Sequence, residues 1–224
     1  MKTNMIITIG RQFGSGGREI GKKLAEELGI KYYDKELLSR AAKESGLCEE
    51  IFKSHDEKPT NSFLYSLVMD TYSFGYGGSA YADMPINHRV FLAQFDAIKK
   101  IAEEGPCVLV GRCADYALDT YDNVVSVFVQ ADLETRTARV AHSFDLPLNK
   151  AKDMAVKTDK KRASYYNYYT NKRWGEAESY DLCLNSGKLG IDGTVKAIKD
   201  YVALREGITE EDLKQFKIAE KYEK

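Results

Sequence analysis

The stretch Met5-Ile-Ile-Thr-Ile-Gly-Arg-Gln-Phe-Gly-Ser-Gly-Gly-Arg-Glu-Ile20 changes character twice. Met5 to Ile9 is a continuous, mostly β-branched run, the pattern of a strand covered on both faces. Gly14, Gly16 and Gly17 follow in a loop too short for an element of its own. Ile20, Leu24 and Leu28 then recur at helical spacing with charges between them, and Gly29 supplies a stop. The stretch predicts strand, glycine loop and helix in direct succession.

Outward from it the same alternation continues. Ile30 to Tyr33 predicts a second strand and Lys35 to Lys43 a second helix, while Cys107 to Gly111, Val124 to Val129 and Asp181 to Leu184 are further runs of strand length. Helical periodicity covers Val90 to Glu104, Leu133 to His142 and Val195 to Leu204. Strands alternating with helices predict a three-layer, doubly wound parallel α/β sheet, whose post-strand loops gather on the edge where such sheets bind ligands.

Two segments stand outside this alternation. Residues 49–87 hold Phe63, Tyr65, Tyr72, Phe74, Tyr76 and Tyr81 around the run Gly75-Tyr-Gly-Gly78, and read as a helical insertion with a mobile loop. Residues 149–173 carry eight basic side chains against Asp153 and Asp159, a local anion funnel. Residues 1–206 then make one domain with these two features, and 207–224 a polar helical tail capped by Thr209.

The composition limits what that funnel serves. Lys+Arg at 33 against Asp+Glu at 34 gives a formal charge of −1, so no global basic field points to a nucleic acid polymer or a membrane surface. A chain of 224 residues needs no metal or disulfide staple for its core. The apolar run at Met5 to Ile9 is far shorter than the roughly 20 residues of a spanning helix, and a cytoplasmic protein is expected. Cys48, Cys107, Cys113 and Cys183 are scattered without a CxxC, and His55, His88 and His142 lack metal-site spacing. Reduced thiols and no structural metal are predicted.

A glycine loop between a buried strand and a helix aims backbone N–H groups at the helix N-terminus, where the helix dipole also favours anions. Phosphate is the ligand this predicts, with Arg11, Gly14, Ser15, Gly16, Gly17 and Arg18 as candidate contacts. The loop departs from both common signatures. GxGxxG counted from Gly14 ends on Glu19, although Asp34 stands where a ribose-binding acid would, so dinucleotide binding stays open as a lesser reading. GxxxxGK[ST] needs a lysine and a hydroxyl, and here Gly17 and Arg18 occupy the lysine region with Glu19 beyond. Arg18, Arg11, Lys160 and Lys161 are the candidates for the missing charge.

Several pieces in order resemble the cytidylate kinase-like group of P-loop nucleoside monophosphate kinases. Ile7 to Gly17 is similar to that family's phosphate loop, with Gly17 at the lysine position. Tyr33-Asp-Lys-Glu-Leu-Leu-Ser-Arg40 is similar to its D-S-G-x-x-Y-R segment, Val110-Gly-Arg112 to its GRD signature and Asp159-Lys-Lys-Arg162 to its D-R-x-R lid. Leu184 to Ile191 resembles its final strand and turn. The resemblance implies ATP and Mg2+ as cofactors and small-molecule nucleotides as partners. It implies acceptor contacts from Asp34, Arg40, Arg112, Asp115, Asp159 and Arg162, and catalytic charge from Arg18, Arg112, Lys160 and Arg162. Cys113 replaces the Asp of the GRD signature, with Asp115 two residues on.

The implied reaction moves the γ-phosphoryl of ATP to a nucleoside monophosphate, cytidylate first. A kinase of another small molecule and a binding module that has lost catalysis are the rival readings. Monomer and homo-oligomer are equally open. The run Tyr165-Tyr-Asn-Tyr-Tyr169 admits base stacking or plain core packing, the latter expected, and His142 reads as a helix-terminus residue.

Overall fold

The computed structural model describes residues 3–46, 49–56 and 84–207. Cys48, the aromatics from Phe63 to Tyr81, the glycines between them and the tail from Ile208 onward lie outside the described residues.

Strand β1 (Ile6–Arg11) runs into helix α1 (Gly17–Leu28), followed by β2 (Lys31–Tyr33), α2 (Glu36–Ser45) and α3 (Glu49–His55). Then come α4 (Ile86–Glu103), β3 (Cys107–Val110), α5 (Ala114–Ala117), β4 (Val124–Gln130) and α6 (Leu133–Phe144). Helix α7 (Leu148–Thr170), a 3-10 turn at Ala177–Ser179, β5 (Leu182–Asn185) and α8 (Ser186–Gly207) complete the order. The strands lie parallel in the sequence β2-β3-β1-β4-β5. β1 is central, with Ile9 opposite Val110 of β3 and Arg11 opposite Val129 of β4.

Alternation along β1 divides the core between two faces. Ile7 and Ile9 join Ile20 and Leu24 of α1 and Val195 and Ile198 of α8. Ile6 joins Leu37 of α2 and Ala97, Ile98 and Ile101 of α4 on the other side. The sheet is therefore sandwiched between helical layers, which is the three-layer α/β architecture expected from the strand-like runs. Helix α4 begins at Ile86 rather than Val90, because Pro85 at φ −54 leads the chain into the helix a turn earlier.

The basic segment is not a loose flap. Most of it rides on α7, one continuous helix of 23 residues from Pro147 to a left-handed stop at Asn171. Its aromatics face inward: Tyr165, Tyr166 and Tyr169 are buried among Phe91, Leu92 and Phe128. Tyr169 stacks on Phe91 with ring centroids 4.0 Å apart and planes 10° from parallel. Of the two readings of the tyrosine run, core packing is the one realised at these three positions. Tyr169→Ala should accordingly lower stability by about 3–5 kcal/mol, read as a fall in urea midpoint. Lost nucleotide affinity at unchanged stability would speak for base stacking instead.

Candidate active site

The loop between β1 and α1 is shaped by groups outside it. Gly14 and Gly16 take φ of 79° and 81°, the left-handed conformation glycine adopts without steric cost. Arg136 of α6 donates from Nη1 to the Phe13 carbonyl at 3.1 Å and to Asp159 at 2.6 Å, while Asp159 accepts the Phe13 N–H at 2.7 Å. Arg139 donates to the Ser15 carbonyl and to Ser186 Oγ, each at 3.1 Å. Ser186 Oγ donates to the same Ser15 carbonyl. Arg162 of α7 donates to the Arg11 carbonyl at 3.2 Å, its guanidinium 5.6 Å from the Phe13 ring centre. The loop's carbonyls are thus engaged from behind, and the N–H groups of Gly17, Arg18 and Glu19 head α1 without intrahelical partners. That end of the helix suits an anion.

A second cluster forms where β2 and β3 end. Gly111, Arg112 and Cys113 all have positive φ, at 77°, 56° and 56°, which for the two non-glycine residues costs of order 1 kcal/mol or more each. The turn aims Arg112 back under the sheet edge, where it donates to the Val110 carbonyl at 2.9 Å and to Asp34. It also grips Asp56 with two hydrogen bonds of 3.1 and 2.8 Å. Arg18 pairs with the other Asp34 oxygen at 2.6 Å. Burial alone pushes the Asp34 carboxyl up, but the charges of Arg112, Arg18 and Arg11, in that order, outweigh it and hold the group below the usual carboxylate range. Asp115 behaves oppositely. Withdrawal from solvent raises it to about 6, against the lowering effect of the Tyr166 hydroxyl that donates to it at 2.5 Å.

Two cavities meet at this edge. The larger, about 870 Å3, is bounded by Gln12 to Gly14 and Gly16 to Glu19, by Arg139, Val140 and His142 to Phe144 of α6 and by Arg162. The smaller, about 20 Å3, is bounded by Gly111 to Cys113, Asp115, Tyr165, Tyr166 and Tyr180. Arg11 and Arg162 line both.

Of the residues expected from sequence, Arg11, Gly14, Ser15, Gly16, Gly17, Arg18, Asp34, Arg112, Asp115, Asp159 and Arg162 are brought together at this edge. Asp159 engages Arg136 and the loop, and Asp34 engages arginines. Lys160 is exposed on α7. Arg40 is not brought to the edge: it pairs with Glu44 at 2.8 Å and with Glu104 at 2.6 Å. Glu104 precedes β3 and also meets Lys31, the first residue of β2, so Arg40 lies at the opposite, N-terminal edge of the sheet. Sequence reasoning missed Arg136 and Arg139, which read along the helix after β4 as solvated surface charges, and Asp56, for which no local signal exists.

A parallel sheet in this order, with a glycine loop leading from its central strand into a helix and arginines converging on that loop, defines the P-loop kinase class of fold. A family model places the chain further: residues 6–188 match the cytidylate kinase-like family, and the chain belongs to that family. A cytidylate kinase of Pyrococcus horikoshii is 26% identical over 200 residues, covering 88% of each chain. The crystal structure of an uncharacterized protein from Eubacterium ventriosum, 31% identical, superposes with a TM-score of 0.66 over 89% of this chain and 98% of that one. A shikimate kinase from Bacteroides thetaiotaomicron shares the fold at 13% identity and a TM-score of 0.52, over 89% of this chain and 98% of its own. Among the described residues no helix is long and apolar enough to cross a membrane.

Two outcomes follow from the geometry. A Cβ on Gly17 would lie 2.6 Å from Arg11 Cβ, so Gly17→Ala should destabilise by about 1–3 kcal/mol in urea titrations, although alanine is the better helix former. For Asp115 the folded state holds its proton up to about pH 6 while the unfolded chain loses it near 3.8. The folded state binds the extra proton between those values, so this group's contribution to stability falls as pH rises through that window. Asp115→Asn should therefore gain on the wild type by about 2 kcal/mol between pH 4 and pH 7, measured as the difference in unfolding free energy.

Proposed function

We propose that this protein transfers the γ-phosphoryl of ATP to a small phosphate-bearing acceptor, a nucleoside monophosphate with cytidylate first. The observation that carries the reading is the pair of cavities meeting at one arginine-rich edge, the larger, about 870 Å3, of a size that ligand pockets commonly have. The donor's phosphates lie against the amides of Gly17 to Glu19, with Arg18 beside them. The acceptor lies toward Gly111 and Arg112. Arg162 faces both cavities and offsets charge developing on the transferring group, with Lys160 on the same helix adding to the field. Family membership supports this assignment, since named relatives are cytidylate kinases.

Asp34 and Asp159 act here by holding arginines. Both Asp34 oxygens are engaged, by Arg112 and Arg18, and among the described residues no group of three His, Cys, Asp or Glu side chains could hold a metal. Mg2+ would enter with ATP and offset the charge of its phosphates.

A small acceptor that is not a nucleotide is the second reading, motivated by Cys113 standing where the GRD signature has its Asp. One experiment separates the two. Purified protein is incubated with Mg-ATP and each of CMP, dCMP, UMP, AMP and GMP, and the products are separated chromatographically. CDP is expected from CMP, with turnover reduced about 100-fold or more in Arg162→Met. ATP binding without any diphosphate product would remove the nucleoside monophosphate assignment in favour of another acceptor or of a binding module.

A further inference from the structure

Arg112 presents two edges, and both are occupied. Its Nη1 donates to Asp34 and to the Val110 carbonyl, while Nε and Nη2 together take the two carboxylate oxygens of Asp56 at 3.1 and 2.8 Å. We propose that Asp56 holds the seat of the acceptor's phosphate, as an internal carboxylate that the incoming phosphate displaces from Arg112 in order to bind. The proposal rests on the reading above that a phosphate-bearing acceptor lies toward Gly111 and Arg112.

The pairing has the shape of an anion site. Two parallel N–H groups facing two oxygens is the arrangement in which a guanidinium takes a phosphate as well as a carboxylate. The turn that aims this edge is fixed: Gly111, Arg112 and Cys113 have φ of 77°, 56° and 56°, and the Val110 carbonyl and Asp34 hold the other edge of the guanidinium. The cavity that Arg112 lines has a volume of about 20 Å3, room for about one water. An anion with four oxygens therefore needs the fork itself to be vacated.

Of the two carboxylates on Arg112, Asp56 is the one placed to leave. Asp34 follows β2, its side chain is 5% exposed, and Arg18 holds its other oxygen. The Asp56 side chain is 23% exposed and follows the seven-residue helix α3, which is seated in the core through Phe52. Turning Asp56 outward returns a carboxylate to water and leaves Phe52 packed, whereas withdrawing Asp34 would strip two arginines of their partner. The exchange also replaces one anion by another, so the buried guanidinium is not left with an uncompensated charge. A molecule without a phosphate, such as a nucleoside, offers nothing to exchange and meets a closed fork.

The test titrates inorganic phosphate into isotope-labelled protein and reads the dissociation constant from the amide shifts of Gly111 to Cys113, separately from those of the glycine loop. In Asp56→Asn and Asp56→Ala, phosphate should bind at this turn about tenfold or more tightly than in the wild type, because the competing charge-assisted pair is gone. The gain should vanish when Arg112→Lys, which keeps the charge and loses the fork, is added to either variant. A gain below about threefold, less than one such hydrogen bond would give, overturns the proposal. A gain that persists beside Arg112→Lys overturns it equally, since Asp56 would then act only as a nearby negative charge. The wild type supplies a reading that needs no variant to fold: displacement of Asp56 frees the end of α3, so saturating phosphate should speed amide exchange at residues 52–55 several-fold, and unchanged or slowed exchange overturns the proposal. No turnover enters these readings. A protein that makes no diphosphate from any of the five monophosphates can still exchange Asp56 for phosphate, and a working kinase can fail to do so, which keeps the two conclusions separable.

Discussion

A loop that offers its backbone amides to a ligand cannot use them to hold its own shape. That constraint governs the strand-exit edge of this protein. The Phe13 and Ser15 carbonyls are taken by arginines from α6, and the Phe13 amide by Asp159 from α7. Ser186 at the start of α8 completes the scaffold. The loop between β1 and α1 is therefore tied to three helices remote in sequence, and its conformation persists only while all three are in place. Helix α7 is stiffened for this task by its aromatic seam against α4, in which the Tyr169 ring lies 4.0 Å from that of Phe91 and 4.9 Å from that of Tyr165.

The second cluster shows the same economy with charge. Removing Arg112 and Asp34 from water costs more than their mutual attraction returns unless remaining donors and acceptors are also met. They are: Arg112 has Asp34, Asp56 and the Val110 carbonyl, and Asp34 has Arg112 and Arg18. Such a network contributes little to net stability, but it fixes a guanidinium in one orientation. The two consecutive left-handed residues Arg112 and Cys113 store local strain that those contacts hold in place. Geometry of this kind belongs to a site where position matters more than folding energy.

The strands and the glycine loop were legible in the sequence because they depend on local rules. Apolar runs of four to seven residues become buried parallel strands, and a glycine cluster between strand and helix has few other uses. The arginines were less legible. Motif similarity set Arg40 beside the acceptor, but a residue one helical turn from Glu44, on a helix that returns toward the N-terminal edge, is captured by Glu44 and Glu104. Arg136 and Arg139 went unnoticed because a helix face of two arginines reads as solvated surface until its partners, carbonyls from residues 13 and 15, are known. The tyrosine run was ambiguous for a similar reason: positions 165, 166 and 169 share one helix face, but only the packed structure says what that face meets.

Gly17 is the position where sequence and structure diverge most in meaning. Read along the chain it is a deletion of function, since a required cation is missing. Read in space it is half of a pair, because Arg11 Cβ already stands where a side chain at 17 would begin. A side chain at 17 would meet the stem of Arg11, which is anchored in the central strand by its pairing with Val129 of β4. The glycine at the head of α1 therefore lets helix and strand end pack closely while the first amides of the helix stay open to an anion.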